Sequence, residues 1–236
     1  MNYVSLLRKY FFLGLLILAS ASFFYFHLYT YLTFNTLKIY QAAAQEWTTS
    51  HYKSAVSIYI LIYVAMIACA IPCATLLTLL GGFLFGGIAI IYAVFSTTCG
   101  GLILYLTIRT TIGSRIAAKS SGWIKKMEKG FQQNAFNYIL TLRLIPIFPC
   151  WISNIAAGVL NVPMKTFVSA TVIGILPATS ICVMAGRGLD KILADKNTPL
   201  ISIILTPSVF FPLLGLAILS LSPVIYKSLK QLHRNR

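Results

Sequence analysis

The sequence predicts an all-α, polytopic membrane protein with about four spanning helices and two opposed re-entrant hairpins that form an inverted repeat. Three observations lead there. Hydrophobic residues fill 58% of the 236 positions and charged residues 10%, and the mean hydropathy is +0.83, whereas soluble domains are roughly a quarter charged. Apolar runs follow one another with short polar interruptions, so a bilayer is the natural solvent. Two of these runs are broken by proline and glycine at matching positions.

The apolar runs are Tyr10 to Phe34, Ala55 to Phe85, Gly87 to Ile108, Phe167 to Met184 and Pro199 to Tyr226, most of them near or above the ~20 residues that a spanning helix needs. Arg8 and Lys9 followed by an apolar run and Ala19-Ser20-Ala21 imitate a secretory signal. The run continues through Phe23, Phe24, Tyr25 and Phe26 to Phe34, too long for a signal core and right for a first span, so cleavage is not expected.

Positive charge orients the rest. The net charge of +15 would suit nucleic acid, but the Lys and Arg residues sit between and beside apolar runs rather than along a soluble, aromatic-studded face. Cytoplasmic loops collect such residues. Arg109 to Lys129 carries six of them against Glu128, and the tail carries Lys227, Lys230, Arg234 and Arg236. If every apolar run crossed, the most basic loop would lie outside. The conflict disappears if Ala55 to Gly86 enters and leaves on the outer side, turning near Pro72, and if Phe136 to Leu160 is a second hairpin entering from the cytoplasm. The polar residues Arg143, Ser153 and Asn154, with Pro146, Pro149 and Gly158, would suit a straight lipid-facing helix poorly. Both termini are then expected in the cytoplasm. The domains read as 1–54, a first span and outer loop; 55–189, the hairpin core; and 190–236, a last span and basic tail.

A weak internal repeat supports two opposed halves. Ile71-Pro72-Cys73 matches Phe148-Pro149-Cys150, and a glycine follows nine positions after each proline, Gly81 and Gly158. The offset of 77 positions between Pro72 and Pro149 also sets Arg109 opposite Gly186 and beside Arg187. Broken segments at corresponding positions of two halves point to a transporter-like site near the midplane.

Arg143 is the sharpest candidate, because it stands alone in YILTLRLIPIFP and an arginine at the bilayer centre costs ~3 kcal/mol. A planar fork of donors suits a lipid phosphate; the alternative is an arginine at a hairpin mouth that snorkels to the interface. Pro146 and Pro149 interrupt the helix and leave a half-helix N-terminus that attracts anions. Ser153 and Asn154 could contact a ligand or satisfy freed backbone groups. Arg109 and Arg187 complete the candidate lipid-binding set. Pro72 and the glycines Gly81, Gly82, Gly86 and Gly158 read as structural, allowing a turn and close helix approach. The basic loop could attract anionic lipid or serve topology alone.

Catalysis has little to rest on. The four acidic residues Glu46, Glu128, Asp190 and Asp195 fall in loops, the three histidines are far apart, and no GxSxG, HExxH or P-loop is present. The five cysteines lie in or beside apolar runs without CxxC spacing and read as small core residues. No enzyme activity, metal site or cofactor is expected.

The segments LLTLLGGFLFGG, YLTIRTTIG, LRLIPIFPCWISNIAAGVLNVP and TFVSATVIGILPATSICVMAGRGL, in that order from about Pro72 to Leu189, resemble the DedA-like superfamily, also called VTT-domain or SNARE-associated Golgi proteins. The resemblance implies two opposed re-entrant hairpins and movement of phospholipids or polyprenyl-phosphate carriers across the bilayer. Arg143 and Pro146 fall on the first arginine and the proline of the family's R-F-x-P-x-x-R motif, and Pro149 replaces its second arginine. The acidic residues expected around the first hairpin are absent, with Thr75, Thr78 and Gly82 in that region, which speaks against proton coupling and leaves uncoupled lipid movement.

The expected function is therefore translocation or scrambling of lipids with anionic or phosphate-bearing headgroups, in support of membrane homeostasis. The alternative is a non-transporting scaffold or assembly factor. Membrane lipids are the expected partners, nucleic acid is not, a homo-oligomer is compatible, and a bacterial inner membrane is the expected location.

Overall fold

The computed structural model describes residues 3–26, 34–113, 134–144 and 149–194. All elements among these residues are helical: α1 (Tyr3–Tyr25), α2 (Phe34–Ser50), α3 (Tyr52–Ala68), α4 (Ala74–Phe85), a 3-10 turn at Gly86–Ile88, α5 (Ala89–Ile108) ending in a π turn at Arg109–Gly113, α6 (Ala135–Leu144), α7 (Cys150–Val159) and α8 (Met164–Ala194). Two stretches are long and apolar enough to cross a membrane, Ala74–Thr111 and Met164–Gly188. A third counts if Ala42–Ser50 and Tyr52–Ala68, bent by 114°, form one broken span. About four were expected from sequence; the run Pro199 to Tyr226 lies outside the described residues.

α3 and α4 pack antiparallel along their whole length. Tyr52 meets Phe85 edge-on with centroids 5.9 Å apart, Tyr59 Oη donates to the Leu77 carbonyl at 2.9 Å, and Tyr63 Oη pairs with Thr78 Oγ1 at 2.7 Å. The turn between them closes α3 as a Schellman motif: the Ile71 amide donates to the Met66 carbonyl and the Ala70 amide to the Ile67 carbonyl. Ala70 takes the left-handed position, φ 58°, and Pro72 follows, unable to continue a helix. The predicted turn near Pro72 is therefore observed, made by Ala70 two positions before it.

The chain reverses again at Gly86, whose φ of 67° is a conformation that only glycine adopts freely. A Cβ on Gly81 would lie 3.4 Å from the Ala89 Cβ, whereas eight residues of straight helix would separate them by about 12 Å. The apolar stretch from Ala74 to Thr111 is thus two helices folded back. α5 then runs beside α3 in the same direction, with Tyr52 level with Tyr92 and Gly100 pressed on Val64 and Ile67.

The second half repeats this plan. α6 and α7 are joined by a short connection, α7 ends in a second Schellman motif with Asn161 left-handed at φ 51°, and α8 follows. The halves interlock by exchange: α7 packs on α5, with Gly158 against Tyr105 and Ile108, and α4 packs on α8, with Gly82 against Val183. α3 lies on α5 as α6 lies on α8. One buried cluster holds Tyr59, Tyr63, Ile67 and Leu77 around the first hairpin, and the other holds Tyr105, Ile139, Val162 and Phe167 around the second.

Two segments expected as loops are helical. Phe34–Ser50 forms α2 because its Gln-Ala-Ala-Ala-Gln-Glu core consists of strong helix formers. α8 continues past Gly186 to Ala194 on Leu189, Lys191, Ile192 and Leu193, with Pro177 accommodated inside it.

Candidate functional site

Arg143 stands in the last turn of α6, 6% exposed. It can lie so deep because Gly174 on α8 has no side chain: a Cβ there would come within 2.6 Å of the Arg143 Cβ. Its Nη2 donates to Asn154 Oδ1 on α7 at 2.5 Å and to Thr171 Oγ1 on α8 at 3.3 Å, and Nη1 reaches the Cys150 carbonyl at 3.5 Å. Asn154 and Thr171 are fully buried. Three helices of the second half are therefore tied at one point by a guanidinium. Every hydrogen-bond partner of that guanidinium is neutral.

The first half has an uncharged node built the same way. Tyr63 from its first arm meets Thr78 from its second, and also Thr97 from the span that follows. First arm, second arm and following span each contribute one residue, as Arg143, Asn154 and Thr171 do.

The turn of the first hairpin and the start of α7 meet around a cavity of about 180 Å³ lined by Ala70, Pro72 and Thr75 on one side and Pro149, Cys150 and Trp151 on the other. Pro72 and Pro149, matched in the sequence repeat, thus face one space. Pro149 caps the N-terminus of α7, where its carbonyl accepts from the Ile152 amide. Ser153, buried beneath it, donates its hydroxyl to the Cys150 carbonyl at 2.8 Å, a helix-terminal role rather than a ligand contact. Pro146 lies outside the described residues.

Arg109 joins the site through aromatic rings. Its guanidinium lies 5.7 Å from the centroid of Tyr105, Tyr105 stacks on Phe167 at 4.6 Å, and Arg143 lies 5.9 Å from the Phe167 centroid. Arg109 also donates to Tyr105 Oη at 2.6 Å, which donates to the Val162 carbonyl at the end of the second hairpin. The half-buried Arg109 and the buried Arg143 are linked by two stacked rings. Arg187 belongs elsewhere. It is exposed, with its guanidinium over Gly86 and Gly87 at the base of the first hairpin.

Sequence reading missed Thr171, Tyr105, Phe167 and Tyr63. Only the Ser96-Thr97-Thr98 run inside an apolar stretch signals a buried polar face on α5. Among the glycines, Gly81 faces the Tyr59 ring, Gly82 the Val183 backbone and Gly158 the Tyr105 carbonyl. No group of three or more His, Cys, Asp or Glu converges among the described residues.

The VTT domain family matches residues 71–188, the span that contains Pro72, Pro149 and Arg143. Among similar proteins, mouse Transmembrane protein 41B is 30% identical over 194 residues, covering 79% of this chain and 64% of that protein. A Transmembrane protein 41 homolog of Drosophila melanogaster is 33% identical over 141 residues, covering 57% and 43%, and one of Caenorhabditis elegans is 32% identical over 173 residues, covering 71% and 68%. The chain thus spans less than two thirds of the mouse and fly proteins. All three relatives are animal proteins and lend no support to a bacterial inner membrane. No solved structure matches the chain. With two or three stretches fit to cross a bilayer and a domain match over half its length, the chain belongs to the VTT-domain, DedA-like family of integral membrane proteins.

Proposed function

We propose that this protein moves phospholipids or polyprenyl-phosphate lipids across the bilayer without a catalytic step, with Arg143 meeting the headgroup phosphate. The observation that carries the reading is a buried guanidinium whose hydrogen-bond partners are all neutral, tied to the tip of a helical hairpin through the Cys150 carbonyl. Cys150 itself lines the cavity between the two tips. A planar cation held inside an apolar bundle costs several kcal/mol unless something anionic uses it. Arg109, on the other side of the stacked Tyr105 and Phe167 rings, supplies a second cation at the start of the basic segment Arg109 to Lys129.

Re-entrance supports the reading. α6 and α7 have ten residues each, about 15 Å of helix, half of the ~30 Å hydrocarbon core. Gly100 packs on Val64 and Ile67 near the end of α3, just before the Ala70 turn, and α5 runs eight residues further to Ile108, about 12 Å. Two hairpins entering from opposite faces, the second about half as deep as the core, would let their tips meet inside the bilayer and leave the basic loop and both termini in the cytoplasm.

The second reading is a scaffold that moves nothing, and the near-complete enclosure of Arg143 favours it. Purified protein in vesicles carrying a headgroup-labelled phospholipid separates the two. Wild type should speed flipping at least tenfold over empty vesicles, Arg143→Ala should lose most of that gain, and Arg143→Lys should keep part of it. No acceleration in several lipid mixtures would leave the scaffold reading.

A further inference from the structure

Two buried donors face no acceptor: Nε–H of Arg143 and the side-chain Nδ2 of Asn154. Their side chains are joined by the bond from Arg143 Nη2 to Asn154 Oδ1, so the unpartnered nitrogens lie no more than about 7 Å apart, and one ion with two contacts of about 3 Å bridges them where that separation is about 6 Å or less. The positive N-terminal turn of the ten-residue α7 begins at Cys150, which the same guanidinium also touches. The Phe167 ring and the three neutral acceptors around Arg143 carry no net charge.

Among the described residues Glu46 is exposed on α2, and Asp190 lies nineteen positions beyond Thr171 on α8, about 28 Å along the helix. Among the described residues nothing compensates the charge of Arg143, and two N–H groups beside it lack the acceptors that buried donors almost always have.

We infer that Arg143 and Asn154 together hold a small inorganic anion of chloride size. It accepts from Arg143 Nε–H and Asn154 Nδ2–H and neutralises the guanidinium in the resting protein. A lipid phosphate entering the site displaces it, a second half of the inference that rests on the lipid reading above.

The test is the melting temperature of the purified protein at constant ionic strength as chloride replaces gluconate. For wild type it rises by several degrees and saturates. Arg143→Met loses the rise. Asn154→Asp keeps the shape of the side chain and supplies its own negative charge, so it melts in gluconate as wild type does in chloride and responds to neither anion. An unchanged melting temperature for wild type overturns the inference. So does a wild-type rise retained by Asn154→Asp, which would mark anions adsorbed on the basic surface. Flipping is scored separately: flipping without an anion effect removes the ion alone, and an anion effect without flipping removes the lipid reading alone.

Discussion

Ala70 and Arg143 are the two residues where side-chain or backbone chemistry is least comfortable, and both belong to the region where the hairpins meet. Ala70 holds the left-handed C′ position of α3, which costs a residue with a Cβ roughly 1 kcal/mol. Ala70→Gly should therefore raise stability by about 0.5–1 kcal/mol, and Ala70→Val should lower it by more than 1 kcal/mol, as read from denaturant or thermal unfolding in detergent. Equal melting of the three proteins would show that the turn relaxes. Arg143 was visible in the sequence because no other charge stands near it, and Asn154 because it follows the proline break. Thr171 was not visible, since a threonine in an apolar helix carries no mark of what it faces.

Helix packing depends on a few glycines that let backbones touch. A Cβ on Gly100 would meet the Val64 carbonyl at 2.6 Å, and one on Gly158 the Tyr105 carbonyl at 2.8 Å; one on Gly14 would meet nothing within 4 Å. Gly100→Ala and Gly158→Ala should each lose about 1–3 kcal/mol, because a carbonyl on a helix backbone cannot move aside. Gly14→Ala should be neutral or gain up to about 1 kcal/mol from helix propensity. Thermal melts of the three variants check this, and a destabilised Gly14→Ala would contradict it. The first hairpin is also closed by hydroxyls: Tyr63→Phe removes the bond to Thr78 and should cost about 1 kcal/mol. Turns at Pro72 and Pro149 were legible because proline cannot continue a helix. α2 was not, since its polar Gln-rich face reads equally well as a loop, and helix propensity decides only when long-range packing does not.

Among the described residues, α3–α5 and α6–α8 are two similar units that complete each other, α5 packing on α7 and α8 on α4. Membrane topology follows if both hairpins are re-entrant. On a cysteine-free background, Lys53→Cys and Ile88→Cys, at the two ends of the first hairpin, should react with an impermeant thiol reagent from the same side. Asn134→Cys and Lys165→Cys, at the two ends of the second, should both react from the opposite side. Reaction of Lys53→Cys and Ile88→Cys from different sides would remove the re-entrant geometry.

Composition and charge order determined, without any coordinates, that this chain is a helical membrane protein with broken segments at Pro72 and Pro149, because hydropathy, proline and loop charge act locally along the chain. Only the tertiary structure decided that Asn154 and Thr171 surround Arg143, that Tyr105 and Phe167 stack between it and Arg109, and that the two prolines line one cavity. These are meetings of residues from different helices, set by where glycines allow backbones to approach, and no local property of the chain encodes such pairings.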